Sequence, residues 1–209
     1  VEAREPLVVC GVPMAARAFT LLDGGLSASI EAAEGKPARS GDVLLRVSGS
    51  TRSLLAAERT ALNLLARTCG VATWTRRFVD RVAGTGASIV DTRKTLPGWR
   101  VLDKYAVAVG GGLNHRAGLH DAILLKDNHR AAAGGIGPAV RAARAGAPPH
   151  LWLQAEVETE QQAEDALAAG ADSLLLDNRS VDEVRAWVAR FADRAVLEAS
   201  GGIGIDNVR

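Results

Sequence analysis

The stretch WLQAEVETEQQAEDALAAGADSLLLDN, residues 152–178, decides the fold class. Residues 152–157 and 173–176 are short apolar runs of the length expected for buried strands. Between them, Thr159 begins T-E-Q-Q, a capping box with Gln162 at the third helical position, and the helical pattern stops at Gly170. Short apolar strands joined by a helix are typical of a parallel sheet that is buried on both faces.

The same alternation continues on both sides of this stretch. Three further apolar runs are predicted strands: 87–90, 122–125 and 195–197. Ser180 and Glu183 form a second capping box, before a helix that ends near Phe191. We therefore predict an α/β fold in which residues 69–209 form an incomplete (β/α) barrel domain that lacks its last strand or strands. We expect the chain to be truncated at both ends.

Residues 1–68 are predicted to form a smaller α+β domain that includes the helix connecting it to the barrel. Its predicted strands, separated by glycine-rich turns, are 7–10, 27–32 and 43–47. The connecting helix is predicted over residues 53–69, with Gly70 just past its end. Its predicted apolar stripe comprises Leu55, Leu62, Leu65, Ala66 and Cys69. Arg59 lies at the edge of this stripe, and spacing alone predicts that its methylene groups cover apolar surface. The alternative is that its guanidinium binds an anion, even one held by another subunit.

Composition narrows the function classes. The 209 residues are 47% hydrophobic and carry a net charge of +1, which does not support wholesale nucleic-acid binding. No apolar run approaches the ~20 residues of a membrane span, so we expect no membrane contact. Cys10 and Cys69 have no metal-binding spacing, are predicted core residues and suit a reducing, cytoplasmic location.

Polar residues follow each of the five predicted barrel strands. They are Asp91-Thr92-Arg93-Lys94, Lys126-Asp127-Asn128-His129, Glu156, Asp177, and Ser200-Gly201-Gly202. Because barrel strands all point the same way, these residues are expected to converge at one mouth, where barrel enzymes carry out their chemistry. Single residues of this kind often only end a strand or cap a helix, but five successive polar ends with mixed charges favour a functional site.

The charges at these ends indicate an anionic ligand. Five potential cations are grouped there: Arg93, Lys94, His115, Arg116 and Lys126. The two acids Glu156 and Asp177 suit Mg²⁺, which is commonly held by one or two carboxylates and substrate phosphates. They can instead bind sugar hydroxyls or stabilise a developing cation. Ser200-Gly201-Gly202 offers main-chain N–H groups to a phosphate, whereas the triple glycine at 110–112 is either a close approach to a ligand or only a turn.

At this point the chain resembles the quinolinate phosphoribosyltransferase family. The resemblance is specific from about Glu58 to Ile203. The segments that carry it are ERTALNLLARTCGVAT, DTRKTLPGWR, KYAVAVGGGLNHRAGLHDAILLKDNH, EVET, LLLDN and EASGGI. It implies transfer of phosphoribose from phosphoribosyl pyrophosphate to quinolinate with Mg²⁺, giving nicotinate mononucleotide, pyrophosphate and CO₂ for NAD biosynthesis.

The resemblance also implies residue roles. Quinolinate would be bound by Thr92, Arg93, His115 and Arg116, with Arg59 reaching in from the partner subunit of a homodimer. The catalytic set would be Lys94, Lys126, Glu156 and Asp177, the two acids holding ribose hydroxyls or the metal, directly or through water. Ser200, Gly201 and Gly202 would bind the 5′-phosphate.

Three alternatives stay open from the sequence. A non-catalytic relative of the same fold is linked to molybdenum transport, although the presence of Arg93, His115 and Arg116 argues against it. Lys126 at a strand end also suits a Schiff-base aldolase, which borohydride would trap with a carbonyl substrate. A third possibility is a module that binds its ligand without turnover.

The substitution Arg93→Ala should remove most phosphoribosyl transfer while the fold persists. Loss of one preorganised charge contact commonly lowers the rate about a hundredfold or more. Turnover with quinolinate, measured beside the circular dichroism spectrum, checks this, and near-normal turnover would contradict the role of Arg93.

Overall fold

The computed structural model describes residues 1–209 and divides by internal contacts into two compact units. Unit 1 comprises Val1–His115 with Val208–Arg209, and unit 2 comprises Arg116–Asn207. The elements of unit 1 are β1 Leu7–Val8, α1 Val12–Leu22, β2 Ser27–Ile30, β3 Pro37–Ala38, β4 Leu45–Ser48, α2 Thr51–Arg81 and α3 Arg100–Val109. Those of unit 2 are β5 Ile123–Leu125, α4 Asp127–Ala132, α5 Ile136–Gly146, β6 Leu153–Glu156, α6 Glu160–Ala168, β7 Ser173–Asp177, α7 Val181–Phe191 and β8 Val196–Ser200. The predicted domain boundary after residue 68 stays a prediction.

In unit 1, α1, α3 and β1 pack against α2, while β2 and β4 pack against α1. Two small antiparallel sheets pair β1 with β3 and β2 with β4, so the three strands predicted in residues 1–50 are present with shorter bounds. Helix α1 was not predicted, because Val12-Pro13 after a glycine gave no side-chain cap to mark its start. The structure shows Pro13 in its first turn, where a missing N–H costs nothing.

Helix α2 is longer than predicted and runs for 31 residues through Gly70. The prediction that Gly70 ends the helix was wrong, since Gly70 has no positive φ and Ala72 and Thr75 beyond it are buried. Burial along the added residues 70–81 outweighs the weak helix propensity of one glycine. Arg81 near the new end suits the negative end of the helix dipole.

The buried stripe of α2 also differs from the predicted one. Leu65 and Cys69 are buried as expected, but Leu55 is 67% exposed and Ala66 is exposed. The core side of the helix is instead lined mainly by small residues: Ala57, Ala61, Leu65, Thr68, Cys69 and Ala72. Small side chains let α1 approach α2 closely. The side of α2 that carries the alanines is therefore buried, and the side that carries Leu55 is exposed.

Unit 2 contains the predicted parallel sheet, in the order β5-β6-β7-β8. Its central strands β6 and β7 are buried, with Leu153, Ala155 and Leu174 fully buried, whereas Val196 in the edge strand β8 is exposed. The two predicted capping residues, Thr159 and Ser180, are the N-caps of α6 and α7. The Ser180 and Glu183 capping box is complete, while Thr159 accepts the Gln162 N–H at 3.2 Å and the Gln162 side chain binds another N–H. The predicted α/β class is confirmed.

The strand predicted over residues 87–90 is not part of this sheet. Val90 instead makes a parallel bridge with Leu113, within unit 1. The sheet therefore has four strands, not five, and the apolar run 87–90 is too exposed at its start for a buried strand. None of the helices is both long and apolar enough to span a membrane.

The triple glycine serves close packing inside unit 1. A Cβ on Gly110 would lie 2.6 Å from the Ala72 carbonyl oxygen, and one on Gly112 would lie 2.8 Å from Val107 Cγ1. Gly111 has a φ of +94°. These contacts bring residues 110–113 against α2 and α3, so close approach to the protein itself accounts for the glycines.

Two glycine substitutions in unit 1 should have opposite effects on stability. Gly70→Ala should raise the free energy of unfolding by about 0.5–1 kcal/mol, because it lies inside a helix with open space around its Cβ. Gly110→Ala should lower it by roughly 1–3 kcal/mol through overpacking. Urea denaturation measures both, and a destabilising Gly70→Ala would favour the shorter helix.

Candidate active site

In unit 1, two short segments that carry predicted site residues are joined side by side. The Asp91 N–H donates to the Leu113 carbonyl at 3.1 Å, and the Leu113 N–H donates to the Ile89 carbonyl at 2.8 Å. This pairing aligns residues 91–94 with residues 113–115. The structure therefore brings the chain around Arg93 beside the chain around His115, as a site for one ligand requires.

A buried ion pair lies between these two segments. The Lys104 ammonium, on α3, contacts the Asp91 carboxylate, and their side chains are only 8% and 6% exposed. Lys104 also donates to the His115 carbonyl at 2.7 Å, and the His115 N–H donates to Asp91 at 2.9 Å. The Asn114 amide, oriented with its nitrogen as donor, reaches Asp91 at 2.8 Å.

Arg93 has an unused hydrogen-bonding group. Its Nε is buried and has no hydrogen-bond partner in the protein. Buried donors are rarely left without a partner, so this atom is available to an acceptor on a ligand. The Arg93 backbone is held, since its carbonyl accepts from Arg100 at 3.4 Å. Beside it, the Thr92 hydroxyl accepts the Lys94 N–H at 3.0 Å, and the Lys94 side chain is exposed.

A second ion pair joins α2 to α3. Arg67 donates two hydrogen bonds to Asp103, at 2.9 and 2.8 Å, and Asp103 also accepts the Leu96 N–H at 3.2 Å. The bond from Arg67 lowers the pKa of the Asp103 carboxyl. Arg59, the residue assigned to the partner subunit, is exposed on α2 and has no partner within the protein. Its exposure is compatible with either predicted role, a stem over apolar surface or an anion-binding group, and both stay predictions.

In unit 2, parallel pairing collects the predicted residues at one edge of the sheet. Lys126 follows β5, Glu156 ends β6, Asp177 ends β7 and Ser200 ends β8. Asp177 lies directly opposite Ser200 in the register. The four sheet strands thus present their polar ends together, as the sequence predicted.

Glu156 is the least satisfied of these groups. It is half-buried and accepts no hydrogen bond. Burial raises the pKa of the Glu156 carboxyl, the neighbouring charge of Lys126 lowers it, and Asp177 raises it. A cation bound between Glu156 and Asp177 would relieve the repulsion between their carboxylates. The structure contains no group of three or more side chains that could hold a metal ion. One Mg²⁺ held by these two acids and by substrate phosphates fits this donor set.

The end of β8 is a tight glycine turn beside β7. The Ser200 hydroxyl donates to Asp177 at 2.5 Å, and the Asn178 N–H donates to the Ser200 carbonyl at 2.7 Å. Gly201 has a φ of +82°, and a Cβ there would lie 2.1 Å from the Asn178 amide oxygen. Only glycine fits, and the Gly201 and Gly202 N–H groups remain for a ligand. Sequence reasoning missed Asn178 as the reason for that glycine.

Comparison with known proteins identifies the family. The family model described as the N-terminal domain of quinolinate phosphoribosyl transferase matches residues 1–69, and that of its C-terminal domain matches residues 71–209. The chain belongs to the quinolinate phosphoribosyl transferase family. The predicted resemblance is thereby confirmed.

Relatives and solved structures of the family agree along the whole chain. A nicotinate-nucleotide pyrophosphorylase [carboxylating] of Mycobacterium leprae is 46% identical, over 98% of this chain and 73% of that protein. The human protein of the same name is 40% identical, over 99% and 70%. The crystal structure of NadC from Streptococcus pyogenes matches with a TM-score of 0.93 and 41% identity, over 99% of this chain and 73% of that one.

Sequence reasoning missed Lys104 as a candidate site residue in this family member. A lysine on a helix is usually solvated, and nothing in the spacing marks Lys104 as buried beside Asp91. A groove of about 480 Å³ elsewhere in unit 1, lined by Leu7, Leu62 and Trp74, contains none of the predicted site residues. The candidate site of the family is therefore not the groove.

The pKa shifts of two glutamates predict stability changes of opposite sign. Burial raises the pKa of Glu156, so the folded protein is penalised above the ordinary glutamate pKa of about 4.3. Glu156→Gln should therefore raise the thermal midpoint at pH 7, with a difference that shrinks in acid.

Glu164→Gln is the matched control. The hydrogen bond from Arg194 lowers the pKa of Glu164, so its contribution is present above the ordinary pKa and lost in acid. This variant should lower the midpoint at pH 7. Midpoints measured between about pH 4 and 8 check both signs, and a fall for Glu156→Gln at pH 7 would contradict the strained carboxylate.

Proposed function

We propose that this chain is a phosphoribosyltransferase that makes nicotinate mononucleotide, pyrophosphate and CO₂ from quinolinate and phosphoribosyl pyrophosphate. The observation that carries the proposal is the match of both family domains, over residues 1–69 and 71–209. The relatives' name, nicotinate-nucleotide pyrophosphorylase [carboxylating], describes the same reaction. The product is a precursor of NAD.

Quinolinate has two carboxylates, and the cationic residues suit them. Arg93 binds one carboxylate through its guanidinium, whose Nε has no partner within the protein. His115 and Arg116 bind the other, with the Thr92 hydroxyl nearby. An arginine offers a planar fork that matches a carboxylate. Lys94 neutralises the pyrophosphate of the cosubstrate, because its side chain is exposed at the end of the same segment.

The acidic edge of unit 2 suits the ribose and its developing charge. As pyrophosphate leaves, C1′ becomes oxocarbenium-like, and the half-buried Glu156 and Asp177 stabilise that charge or bind the ribose hydroxyls. Lys126 lies beside them and balances the carboxylates. Gly201, Gly202 and Ser200 bind the 5′-phosphate. Mg²⁺ bound to the same acids would neutralise the pyrophosphate charge.

The protein needs no nucleophilic side chain for this reaction. The pyridine nitrogen of quinolinate attacks C1′ as pyrophosphate leaves. The adjacent carboxylate then departs as CO₂, the electron pair stays on the ring carbon as an ylide stabilised by the positive nitrogen, and a proton from water completes nicotinate mononucleotide. Catalysis then rests on positioning and preorganised charge. The rigid hold on residues 91–93 and 113–115 is consistent with that requirement.

A homodimer would complete the substrate site. Arg59 projects from α2, is exposed and has no partner within its own chain, which suits a side chain that binds the ligand of the neighbouring subunit. The two cysteines are free and buried, and we place the enzyme in the cytoplasm, where thiols stay reduced.

Release of CO₂ from carboxyl-labelled quinolinate tests the function. Release should require phosphoribosyl pyrophosphate and should be strongest with Mg²⁺. Borohydride with a carbonyl substrate should trap no adduct at Lys126. Tight binding of quinolinate without release of CO₂ or pyrophosphate would mark a non-catalytic binding protein instead.

A further inference from the structure

The buried pair of Asp91 and Lys104 is not explained by a contribution to stability. Both side chains are more than nine-tenths buried. A buried ion pair is often no more stabilising than apolar residues of similar volume, because both charges lose their hydration. The family reaction assigns no role to Lys104, so the pair needs another explanation.

The pair holds both main-chain polar groups of one predicted substrate-binding residue. The His115 N–H donates to Asp91 Oδ1 at 2.9 Å, and the His115 carbonyl accepts from Lys104 Nζ at 2.7 Å. His115 lies outside any strand, so no sheet ladder supplies these bonds. The ion pair therefore does for His115 what a neighbouring strand does for a residue in a sheet.

The same pair reaches the arginine segment. Asp91 is two residues before Arg93, and its own N–H is bound to Leu113 at 3.1 Å. Asn114 adds bonds to Asp91 at 2.8 Å and to the Lys104 carbonyl at 2.9 Å. One buried carboxylate thus joins the backbone that carries Arg93 to the backbone that carries His115.

We propose that Asp91 and Lys104 are positioning residues that set the distance and orientation between Arg93 and His115, and so the affinity for a dicarboxylate. This inference rests on the proposed function for the identity of the ligand. Neither residue is assigned a contact with substrate. Small displacements of a binding group can lower activity about a hundredfold, so a rigid link between the two is expected to matter.

The first test separates positioning from stability with a single and a double variant. Lys104→Met leaves a buried carboxylate without its cation and should lower both the thermal midpoint and quinolinate affinity. Asp91→Asn/Lys104→Met removes both charges, and the amide oxygen introduced by Asp91→Asn still accepts from the His115 N–H. The double variant should have a thermal midpoint close to that of the unaltered protein. It should still lack the hydrogen bond from residue 104 to the His115 carbonyl.

Calorimetric titration with quinolinate gives the deciding numbers. The double variant should bind quinolinate about tenfold or more weakly, with the KM for phosphoribosyl pyrophosphate changed less than about twofold. Arg67→Met is the matched control, because it takes the cation from another buried carboxylate, Asp103, without touching residues 91–93 or 113–115. It should lower the midpoint and leave quinolinate affinity within about twofold.

The NMR signals of the His115 ring report its surroundings without any ligand and so give a second, independent test. The chain has four histidines, so the His115 ring signals can be resolved by NMR and assigned with His115→Asn. In the double variant these signals should move towards those of the exposed His120 and His150.

Either of two results would overturn the positioning role. These are wild-type quinolinate affinity in the double variant, or an equal loss of affinity in Arg67→Met. If the unaltered chain binds no quinolinate, the proposed function fails, and the His115 signals alone then decide the positioning role.

Discussion

Parallel pairing of the strands β5 to β8 is the constraint on which the candidate site of unit 2 depends. Because the strands run in the same direction and the central strands β6 and β7 are buried, charged groups are tolerated mainly where these strands end. Lys126, Glu156, Asp177 and Ser200 occupy those ends. Two polar side chains are buried within the sheet: Gln154 donates to Glu198 at 2.9 Å, and the Ser173 hydroxyl accepts from the Trp152 indole N–H at 3.0 Å.

Unit 1 organises its predicted substrate-binding residues without a sheet. Residues 91–94 and 113–115 are joined by one bridge, and side chains supply the remaining bonds. Two ion pairs of unit 2 differ in kind: Arg190 with Glu160 and Arg194 with Glu164 lie on the exposed surface. Exposed pairs of that type contribute little to stability, whereas the buried Asp91–Lys104 pair determines a backbone conformation.

Small residues allow the close helix contacts of unit 1. A Cβ on Gly11 would lie 2.3 Å from the Thr68 hydroxyl, which itself donates to the Cys10 carbonyl at 2.6 Å. The alanine face of α2 and the glycines at 110 and 112 serve the same purpose. Such contacts explain why a chain with few aromatic residues still forms a core, since interiors are packed to near-crystalline density.

The sequence by itself determined the α/β class, the strands β5 to β8, the helices α6 and α7 and the charged strand ends, because short apolar runs and helix-capping residues are local signals. Helices α4 and α5 carry no such capping signal in the sequence and were not predicted. Its motifs also determined the family. The tertiary structure alone decided that α2 continues through Gly70, that residues 87–90 leave the sheet and that Lys104 is buried beside Asp91. Each of these depends on a partner distant in sequence, and burial against that partner outweighs the local preference of a glycine, an apolar run or a lysine.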